Sequence, residues 1–527
     1  MRRDTSPACR CAWTPAATSA TARSSPPSER HPPRIRRTPV AQNISKLYID
    51  GRWVDSESDV VLDVLNPATE EVIGRVPQAT VGEVSRAIDA ARRAFDEGPW
   101  PTMSPRERAQ VMLRMADALD KRRAELVELN ISESGSTRML AEYLQVGIPL
   151  QHFRDMADRI LPTFSFERGV LPTIGDGIGQ GIVVREPAGV AVLISAYNFP
   201  LFLNIMKLAP ALAAGCTVVL KPAPTTPLEA FVLGEIADEA GLPAGVLNIV
   251  TGDIDAGREL TTNPKVDLVS FTGSDTVGRQ VYEQAAPSLK KVVLELGGKS
   301  PNIICEDADL AAVTTSVIGN MITHAGQGCA LFTRTLVHRS RYDELVAAVS
   351  AGLSMVKVGD PAEPDTVMGP LISEAQRSKV EALIASGVEQ GAEIAFGGGR
   401  PALEKGFFVE PTLFVDVDNS MDIARKEFFG PVGVIIPFDD DDHAVRLAND
   451  SEYGLGGSVY ASDPVRALAI ARRIRTGFVS LNGGGGGVTP HIPFGGYKQS
   501  GLGREWGEAG LEEYLQTKAI TWSAARG

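Results

Sequence analysis

The chain has 527 residues, 43% of them hydrophobic and 22% charged, which is typical of a globular protein with a large core and two or three domains. Its net charge is −13, and because residues 1–43 carry eight Arg against one Asp and one Glu, the remainder carries −19, which argues against nucleic acid as a partner. Five scattered cysteines suit neither a disulfide framework nor a zinc site, so we expect a reducing, cytoplasmic location and no metal.

Residues 1–43 are rich in Arg, Ser, Pro and Ala and show no hydrophobic periodicity, so we expect a disordered N-terminal extension. An Arg-rich, acid-poor segment also suits an organellar transit peptide. The Pro pairs at 26–27 and 32–33 interrupt the amphipathic helix that such a peptide forms, however. A dispensable extension or an upstream start is therefore the favoured interpretation.

Ordered structure is predicted from Lys46 onward. Residues 47–53 alternate in hydrophobicity around an Asp-Gly pair, which is typical of a tight hairpin. From residue 81 to about residue 130 apolar residues recur at helical spacing, interrupted at 98–101, which predicts two or three helices. The longest uncharged stretch, 187–206, is broken by two Asn and one Pro, so we interpret it as a strand, a turn and a helix start, and expect no membrane span.

Five short apolar runs separated by helical stretches occupy residues 189–194, 217–220, 246–250, 268–271 and 292–296. This alternation predicts βαβ units in a parallel sheet. Ligands of such sheets bind at the carboxyl ends of the strands, and the residues that fall there are Asn198, Lys221, Gly252, Gly273 and Glu295. At Gly273 the chain passes directly from strand to helix, an arrangement whose backbone N–H groups can bind a phosphate.

A second α/β region is predicted for residues 301–482, with a helix at 310–323 and a strand near 335–337. The tetrapeptide Gly-Gln-Gly-Cys at 326–329 lies between them, so Cys329 is expected in a different domain from the parallel sheet, with a cleft between the two. The glycine run 483–487 predicts a flexible loop. The acidic run 439–442 is interpreted as a helix cap and not as a metal site.

Cys329 and Glu295 offer a nucleophile and a base of complementary chemistry. A lone cysteine is most often a buried structural thiol. Here glycines precede the thiol and favour an open approach, and only the thiolate form attacks well. One thiol with one carboxylate indicates covalent catalysis followed by hydrolysis, and Asn198 is placed to donate hydrogen bonds to a developing oxyanion.

Seven segments together resemble the NAD(P)-dependent aldehyde dehydrogenase superfamily over residues 46–522. They are Tyr-Asn-Phe-Pro at 197–200, Lys-Pro-Ala at 221–223, Phe-Thr-Gly-Ser at 271–274, Glu-Leu-Gly-Gly-Lys at 295–299, Gly-Gln-Gly-Cys at 326–329, Glu-Phe-Phe-Gly-Pro at 427–431 and Pro-Phe-Gly-Gly-Tyr-Lys at 493–498. The resemblance implies an α/β fold: a Rossmann-like cofactor domain at 44–162 and 186–298, an α/β catalytic domain at 299–498, and a small β oligomerisation extension at 163–185 and 499–527.

The activity that the resemblance implies is irreversible oxidation of an aldehyde to the carboxylic acid with reduction of NAD. Cys329 would form a thiohemiacetal whose oxyanion is held by Asn198 and the Cys329 N–H, and Glu295 would activate the water that hydrolyses the resulting thioester. Lys207 is implied close to this centre. The residues implied at the cofactor are Ser195, Tyr197, Lys221 at the adenosine ribose, Gly252, Gly273, Ser274 at the pyrophosphate, Gly278, Leu296, Glu427 at the nicotinamide ribose, and Phe429.

Two departures from the family pattern concern specificity. Many NAD-preferring members have a glutamate three residues after the lysine that Lys221 matches, and Pro224 stands there, so NADP is also possible. The residues expected to line the substrate tunnel are Phe199, Met206, Ala330, Val488 and Phe494. They leave an apolar, roomy tunnel, which predicts a hydrophobic aldehyde of medium to large size.

Three other functions compete with this one. A CoA-acylating member of the family would pass the thioester to CoA, but Glu295 favours hydrolysis. A cofactor-independent thiol hydrolase would pair Cys329 with His324, which at a helix end is more often a capping or surface residue. A non-enzymatic protein would not require Cys329, Glu295 and Asn198 together.

The expected partners are a small-molecule aldehyde and further copies of the chain. Residues 163–185 are predicted to form a strand pair that projects from the sheet domain, and residues 514–522 form a strand-like run with apolar edges. Exposed strand edges favour association, so we expect a homodimer or homotetramer.

Overall fold

The protein is described by a computed structural model over residues 44–174, 178–484 and 489–523. Strands and helices alternate along most of this length, and the predicted α/β class is confirmed. The predictions made for residues 1–43, for glycines 485–487 and for Val488 lie outside the described residues.

The described residues form 23 strands and 17 α-helices. The first part of the chain contains β1 (Lys46–Ile49), β2 (Arg52–Asp55), β3 (Val61–Leu65), β4 (Val72–Pro77), α1 (Val81–Asp96), α2 (Pro105–Lys121), α3 (Arg123–Ser134), α4 (Arg138–Leu140), α5 (Ile148–Asp155), α6 (Leu161–Thr163), β5 (Glu167–Gly169), β6 (Thr173–Ile174) and β7 (Ile178–Pro187). The central part contains β8 (Val190–Ile194), α7 (Pro200–Ala214), β9 (Thr217–Lys221), α8 (Leu228–Ala240), β10 (Leu247–Ile249), α9 (Ile254–Thr262), β11 (Leu268–Thr272), α10 (Asp275–Ala285) and β12 (Lys291–Glu295).

The last part contains β13 (Pro301–Ile304), α11 (Leu310–Ile322), β14 (Arg334–His338), α12 (Tyr342–Leu353), α13 (Glu374–Glu389), β15 (Glu393–Phe396), β16 (Thr412–Val415), α14 (Asp422–Arg425), β17 (Val432–Phe438), α15 (Asp441–Asn449), β18 (Tyr453–Gly454), β19 (Ser458–Tyr460), α16 (Pro464–Ala471), β20 (Ser480–Leu481), β21 (Tyr497–Lys498), β22 (Gly501–Leu502), α17 (Gly507–Glu513) and β23 (Leu515–Ser523). Short 3-10 segments lie at Trp100–Thr102, Ala286–Ser288, Thr323–Gly326 and Arg339–Arg341, and π-helical turns at Ala141–Gly147 and Met156–Ile160.

Local sequence signals explain the first elements. Asp50 and Gly51 both adopt positive φ, 57° and 67°, which is the geometry of a two-residue turn between β1 and β2, so the predicted hairpin is confirmed. The predicted helices are α1, α2 and α3. Thr80 and Ser104 begin α1 and α2 with capping boxes, in which a hydroxyl and a glutamate satisfy the free N–H groups of the first turn.

The large sheet contains eight strands in the order β2-β1-β10-β9-β8-β11-β12-β22. Its five central strands are parallel and correspond to the five predicted apolar runs. Their order is 3-2-1-4-5 in chain sequence, so the direction of winding reverses beside β8, the position at which such sheets bind ligands. The register pairs Ile194 with Lys221 and Thr272 with Glu295, so both pairs lie at the same edge of the sheet.

Both faces of the large sheet are buried. Successive residues of β8 point to opposite faces, and Ala191 packs into one hydrophobic cluster with residues of α2, α3, α7 and α8. Val190 and Val192 pack into another cluster with α1, α9 and α10. Helices on both faces explain why the five runs are apolar throughout.

A second sheet of seven strands, in the order β15-β16-β17-β14-β13-β19-β20, forms the other α/β region. The predicted helix at 310–323 and the strand near 335–337 correspond to α11 and β14. The acidic run 439–442 begins α15, where the Asp440 carboxylate accepts a hydrogen bond from the His443 N–H at 2.7 Å, so the predicted helix cap is confirmed.

A third sheet consists of β23, β7 and β5, with β6 paired to β7. It joins the two segments expected to mediate oligomerisation, because Leu515 pairs with Pro187 and the two long strands continue antiparallel from there. Gly501–Leu502, inside the second of those segments, instead adds an antiparallel edge strand to the large sheet. Within the described ranges, no helix has the length and hydropathy of a membrane span.

Candidate active site

A cavity of about 400 Å³ lies between the carboxyl edge of the large sheet and the loop that follows α11. Asn198, Glu295 and Cys329 all line it. Asn198 follows β8 and Glu295 ends β12, both in the large sheet. Cys329 lies between α11 and β14, in the other α/β region. The cavity therefore brings the three residues proposed for catalysis together from the two α/β regions.

Cys329 is presented by a turn of unusual backbone geometry. After α11 ends, His324, Ala325 and Gly326 adopt positive φ values of 49°, 50° and 73° in succession. Two of these residues have side chains, so the turn stores strain that the surrounding packing must offset. A Cβ atom at Gly326 would lie 1.9 Å from the Gly430 carbonyl oxygen, so only glycine fits there.

Gln327 holds this turn from inside the protein. Its buried amide donates to the His324 carbonyl at 3.0 Å and accepts from the Ile372 N–H at 3.0 Å. Its backbone carbonyl accepts from Nδ2 of Asn198 at 2.9 Å, while Oδ1 of Asn198 has no hydrogen-bond partner within the described structure. The Asn198 amide thus lies beside the cysteine turn. Its Nδ2 can donate to another oxygen in place of the Gln327 carbonyl.

The Cys329 side chain is partly accessible from the cavity. Burial raises the pKa of its thiol, and the nearby carboxylates of Glu295 and Glu427 raise it further. The free protein therefore holds this cysteine as a thiol at neutral pH, and a base must take its proton before or during nucleophilic attack.

The carboxyl group of Glu295 is buried, and neither of its oxygens has a hydrogen-bond partner among the described residues. Burial raises its pKa well above the usual range, and the charge of Glu505 adds to this. A Cβ atom at Gly495 would lie 2.9 Å from Oε1 of Glu295, so this glycine leaves room beside the carboxyl. A carboxyl with a raised pKa and unused lone pairs is suited to abstract a proton from water.

Lys207 lies behind this carboxyl, outside the cavity lining. Its ammonium group is fully buried and donates to Glu505 at 2.5 Å and to Ser270 at 3.0 Å. Glu505 in turn lines the cavity. Lys207 therefore reaches the cavity through its hydrogen bond to Glu505. The sequence did not single out Glu505.

One end of the cavity is polar and rich in glycine. Of the residues expected to bind the cofactor, those that line it are Tyr197, Gly273, Ser274, Leu296, Glu427 and Phe429. Ser274 begins α10 and its hydroxyl accepts from the Val277 N–H at 3.3 Å, so the free N–H groups of that helix point to this end. Oε1 of Glu427 accepts from the Gly298 N–H at 2.9 Å, and burial raises the Glu427 pKa to about 7.

The other four residues expected at the cofactor lie outside the cavity lining. The Ser195 hydroxyl donates to Asn204 at 2.6 Å. A Cβ atom at Gly278 would lie 2.5 Å from the Leu296 side chain, and one at Gly252, where φ is 157°, would lie 2.7 Å from Ala256. These three residues shape the sheet edge by close packing, and that packing needs the two glycines.

Lys221 is the fourth of these residues and ends β9 at the same sheet edge. It is only 6% exposed, and burial lowers its pKa to about 8, opposed by Asp253. Among the described residues its ammonium makes no hydrogen bond. A nearly buried amine without a partner fits the hydroxyl or phosphate oxygens of a nucleotide.

The opposite end of the cavity is aromatic. Phe199, Ala330 and Phe494 line it, as predicted for the tunnel, and further side chains of its wall include Phe202, Leu203, Phe478 and Trp506. Phe494 stacks on Trp506 with ring centroids 4.6 Å apart, and Phe478 lies 5.7 Å from Phe494. These rings give the tunnel a rigid apolar surface beyond Cys329.

Met206 is not part of this tunnel, contrary to the sequence prediction. Its sulfur lies 3.1 Å from Nδ1 of His152, in a small separate cavity. Trp506 lines both cavities and so stands between Met206 and the tunnel. The prediction for Val488 lies outside the described residues.

His324 also differs from expectation. It was interpreted as a capping or surface residue, but it is 5% exposed, and its ring lies 5.5 Å from that of Phe199. Burial lowers its pKa to about 4. Because the strained turn folds back under the helix end, this ring is placed inside the protein behind the cavity.

Some of the unpredicted residues carried a usable sequence signal. Phe202 and Leu203 follow Phe199 by three and four residues on α7, which is the spacing of one helix face. Glu505 and Trp506 come from a distant loop with no periodic pattern, so only the fold places them at the site.

Comparison with known proteins agrees with this geometry. The profile of the aldehyde dehydrogenase family matches residues 53–520. A solved structure of a Mycobacterium tuberculosis aldehyde dehydrogenase complexed with NAD+ is 46% identical, covers 91% of this chain and 98% of its own, and superposes with a TM-score of 0.88.

Two further solved structures are similar. One is a cysteine-to-alanine mutant of aldehyde dehydrogenase C from Pseudomonas syringae with NAD+ and octanal, which is 42% identical over 91% of this chain and 96% of its own, with a TM-score of 0.86. The other is a betaine aldehyde dehydrogenase from Staphylococcus aureus with NAD+, 37% identical over 91% of this chain and 94% of its own, with a TM-score of 0.88.

Proposed function

Since the chain belongs to the aldehyde dehydrogenase family, we propose that it oxidises a hydrophobic aldehyde to the carboxylic acid with reduction of NAD, through a covalent intermediate on Cys329. The observation that carries the proposal is the single cavity that holds a thiol, a free carboxyl and a side-chain amide between a polar end and an aromatic end. A relative that is 42% identical was solved with NAD+ and octanal, which supports both the cofactor and the substrate class.

The first step is attack of the Cys329 sulfur on the aldehyde carbon. A C–S bond forms, the thiol proton leaves to solvent water, and the carbonyl oxygen becomes an oxyanion. The Asn198 amide now donates to the Gln327 carbonyl at 2.9 Å, and we propose that it donates to the oxyanion together with the Cys329 N–H. The strained turn presents the Cys329 sulfur to the cavity.

When bound at this end, NAD would supply the hydride acceptor that conversion of the thiohemiacetal to a thioester needs. At the polar end, this chain offers the N-terminus of α10 with Ser274 to a pyrophosphate, and the nearly buried amine of Lys221 to a ribose hydroxyl. Glu427, held by the Gly298 N–H, offers its second carboxylate oxygen to a ribose. Pro224 leaves no carboxylate at its position to repel a 2′-phosphate, so NADP is a further cofactor to test.

Glu295 acts in the second half of the reaction. Its carboxylate takes a proton from water, the hydroxide attacks the thioester carbon, and the C–S bond breaks to release the acid and return the thiol. The raised pKa makes the carboxylate a stronger base than an exposed glutamate. A base beside the thioester favours release to water over release to CoA.

The substrate class follows from the aromatic end. Phe478, Phe494 and Trp506 offer apolar faces to a bound chain or ring, and burial of such groups contributes about 25 cal/mol per Å² of apolar surface. Among the described residues, the aromatic side chains of this wall carry no charge that would pair with a carboxylate or ammonium at the far end of a substrate. We therefore propose medium to large hydrophobic aldehydes.

The test is a comparison of kcat/KM across aldehydes with NAD and with NADP. The purified chain is assayed for NADH formation with octanal, an aromatic aldehyde, a quaternary ammonium aldehyde and a short acidic semialdehyde. Higher kcat/KM for the first two supports the proposal. Higher kcat/KM for a charged aldehyde would reject the hydrophobic class, and acid formation without any cofactor would reject dehydrogenation.

We also propose that the chain assembles into a homodimer or homotetramer through the third sheet. Along β23, Ile520 and Trp522 are 44% and 46% exposed, and the strand has a free edge. Exposed edges with apolar side chains associate readily. Light scattering on the wild type and on Trp522→Lys tests this, and a wild-type monomer would reject it.

A further inference from the structure

Two glutamates that play no part in the chemistry above are fully buried behind the Asn198 loop. Glu133 lies near the end of α3 and Glu229 in the first turn of α8, and both side chains are 0% exposed. Glu133 accepts from the Leu228 N–H at 2.6 Å, where α8 begins. Glu229 accepts from the Leu201 N–H at 3.1 Å, where α7 begins. The Glu133 carboxyl therefore links α3 to the start of α8, and the Glu229 carboxyl links α8 to the start of α7.

Among the described residues, no cation balances this pair. Across the described ranges, neither glutamate forms an ion pair, and the other neighbour with a hydrogen bond to Glu229 is the uncharged amide of Asn130, at 3.2 Å. Oε2 of Glu133 has no hydrogen-bond partner. Two buried carboxylates without a cation are strongly unfavourable, whereas a carboxylic acid next to a carboxylate is not, because the acid has a proton to donate.

The electrostatics favour retention of a proton by this pair. Burial raises the pKa of Glu229 to about 8. Burial also raises the pKa of Glu133 well above its usual range, and the charge of Glu229 adds to that. At neutral pH the pair therefore binds one proton or more, and the second negative charge develops only in alkaline solution.

A chain of hydrogen bonds connects the pair to the catalytic amide. The Ser134 hydroxyl, on the same helix as Asn130, donates to the Asn130 carbonyl at 2.8 Å and meets the Ser136 hydroxyl at 2.8 Å. Gln145 donates to Ser136 at 3.0 Å and to the Asn198 backbone carbonyl at 2.9 Å. These hydrogen bonds thus hold the Asn198 backbone carbonyl on one side. On the other side Asn198 leads into α7, whose Leu201 N–H donates to Glu229.

The one further ionisable group that joins this network among the described residues is His324, whose Nδ1 lies 3.4 Å from the Ser136 hydroxyl. Its pKa of about 4 leaves it neutral across the working range of pH. The groups from α3, α7 and α8 that face the two glutamates are otherwise amides, hydroxyls and backbone N–H groups. The pair is therefore the part of the network whose charge changes in alkaline solution.

We propose that Glu133 and Glu229 act as an acid–carboxylate pair that positions the Asn198 amide for the oxyanion, and that loss of the shared proton displaces this amide. The proposal rests on the role proposed above for Asn198. When both carboxyls are ionised they repel each other, and Leu201 in the first turn of α7, three residues after Asn198, moves with Glu229. Transition-state stabilisation is lost, while the binding of NAD at the other end of the cavity is not affected.

Glu229→Gln is the most direct variant, because its amide keeps an acceptor for the Leu201 N–H and supplies the donor that the protonated acid supplies. We expect kcat close to that of the wild type near neutral pH. Between about pH 8 and about pH 10 the ratio of variant to wild-type kcat should rise at least about threefold, with KM for NAD changed by less than about twofold. Glu133→Gln should do the same, and the exposed Glu239→Gln on α8 serves as the matched control.

Thermal unfolding gives a second readout. A glutamate whose folded pKa is raised from about 4.5 to about 8 destabilises the fold progressively as pH rises between these values, since the folded state holds the proton longer. The Tm advantage of Glu229→Gln over the wild type should therefore be larger at pH 8 than at pH 5. A purely structural role predicts this Tm change without any change in the kcat ratio.

Asn198→Ala separates the two proposals. If it leaves kcat unchanged, the proposed role of Asn198 fails, and the positioning role fails with it. If it lowers kcat, but both Gln variants keep the wild-type dependence of kcat on pH, the positioning role alone is rejected. A kcat ratio that rises with pH for both Gln variants and stays constant for Glu239→Gln supports the pair as the positioning device.

Discussion

The two ends of the cavity are built in different ways. The polar end is made by strand ends, a helix N-terminus and glycines, and its residues are fixed by the register of neighbouring parallel strands. The aromatic end is made by side chains from α7, from the segment before β21 and from the loop before α17. Backbone geometry sets the first end and side-chain packing sets the second. Substitutions should therefore change specificity at the aromatic end, whereas the reacting groups between the two ends should govern turnover.

The largest expected effect is at the thiol between the two ends. Cys329→Ala removes the atom that bonds to the substrate, so kcat/KM should fall by at least about 10³-fold, measured as NADH formation. Cys305→Ala, which removes a buried thiol remote from the cavity, is the control and should keep most of the activity. Activity retained in Cys329→Ala would mean that the cavity does not use covalent catalysis.

The next effect separates the two halves of the reaction. Glu295→Gln should lower steady-state kcat by about 10²-fold or more while one equivalent of NADH still forms rapidly, because only hydrolysis of the thioester needs the base. The exposed Glu404→Gln is the control. A burst that disappears together with the steady-state rate would assign Glu295 to an earlier step.

The raised pKa of Cys329 predicts slow alkylation of the free protein. Because the thiolate is the reactive form, the rate with iodoacetamide should be below that of free cysteine at neutral pH and should still rise beyond about pH 9. Mass analysis locates the label, and Cys329→Ala gives the background. A rate that reaches its plateau below pH 8 would show that the thiol is activated without ligands.

The aromatic end is tested by Phe494→Ala, which removes the ring that stacks on Trp506. We expect kcat/KM for octanal to fall by about tenfold and that for acetaldehyde to change much less, because only the longer chain reaches the ring. Phe396→Ala, which removes a partly buried ring away from the cavity, is the matched control. Equal losses for both aldehydes would indicate a general loss of packing instead.

The smallest effect is expected at the polar end. Pro224→Glu places a carboxylate three residues after Lys221, where it should repel a 2′-phosphate and lower kcat/KM with NADP by several-fold relative to NAD. Thr225→Glu, which adds the same charge at the next residue, controls for net charge. If the ratio of kcat/KM with NAD to kcat/KM with NADP does not change, the 2′-position of the cofactor ribose does not lie near residue 224.

The difference between the two ends also explains which residues the sequence could predict. Asn198, Lys221 and Glu295 end or follow apolar runs, and parallel strands bring such positions to one edge, so their proximity follows from the pattern. Trp506 comes from a loop, where it adopts a φ of 70°, and no periodicity indicates that it separates Met206 from the tunnel. The sequence favours a capping or surface role for His324, because three successive residues of positive φ cannot be foreseen from a helix end.

In the proposed mechanism, Cys329 forms the thioester and Glu295 releases it. The most direct measurement is the intact mass of Glu295→Gln, quenched shortly after mixing with octanal and NAD. We expect a mass increase of one octanoyl group, located on Cys329 by peptide mapping and absent from the wild type at the same delay. Formation of NADH by Glu295→Gln with no acyl group on Cys329 would contradict it.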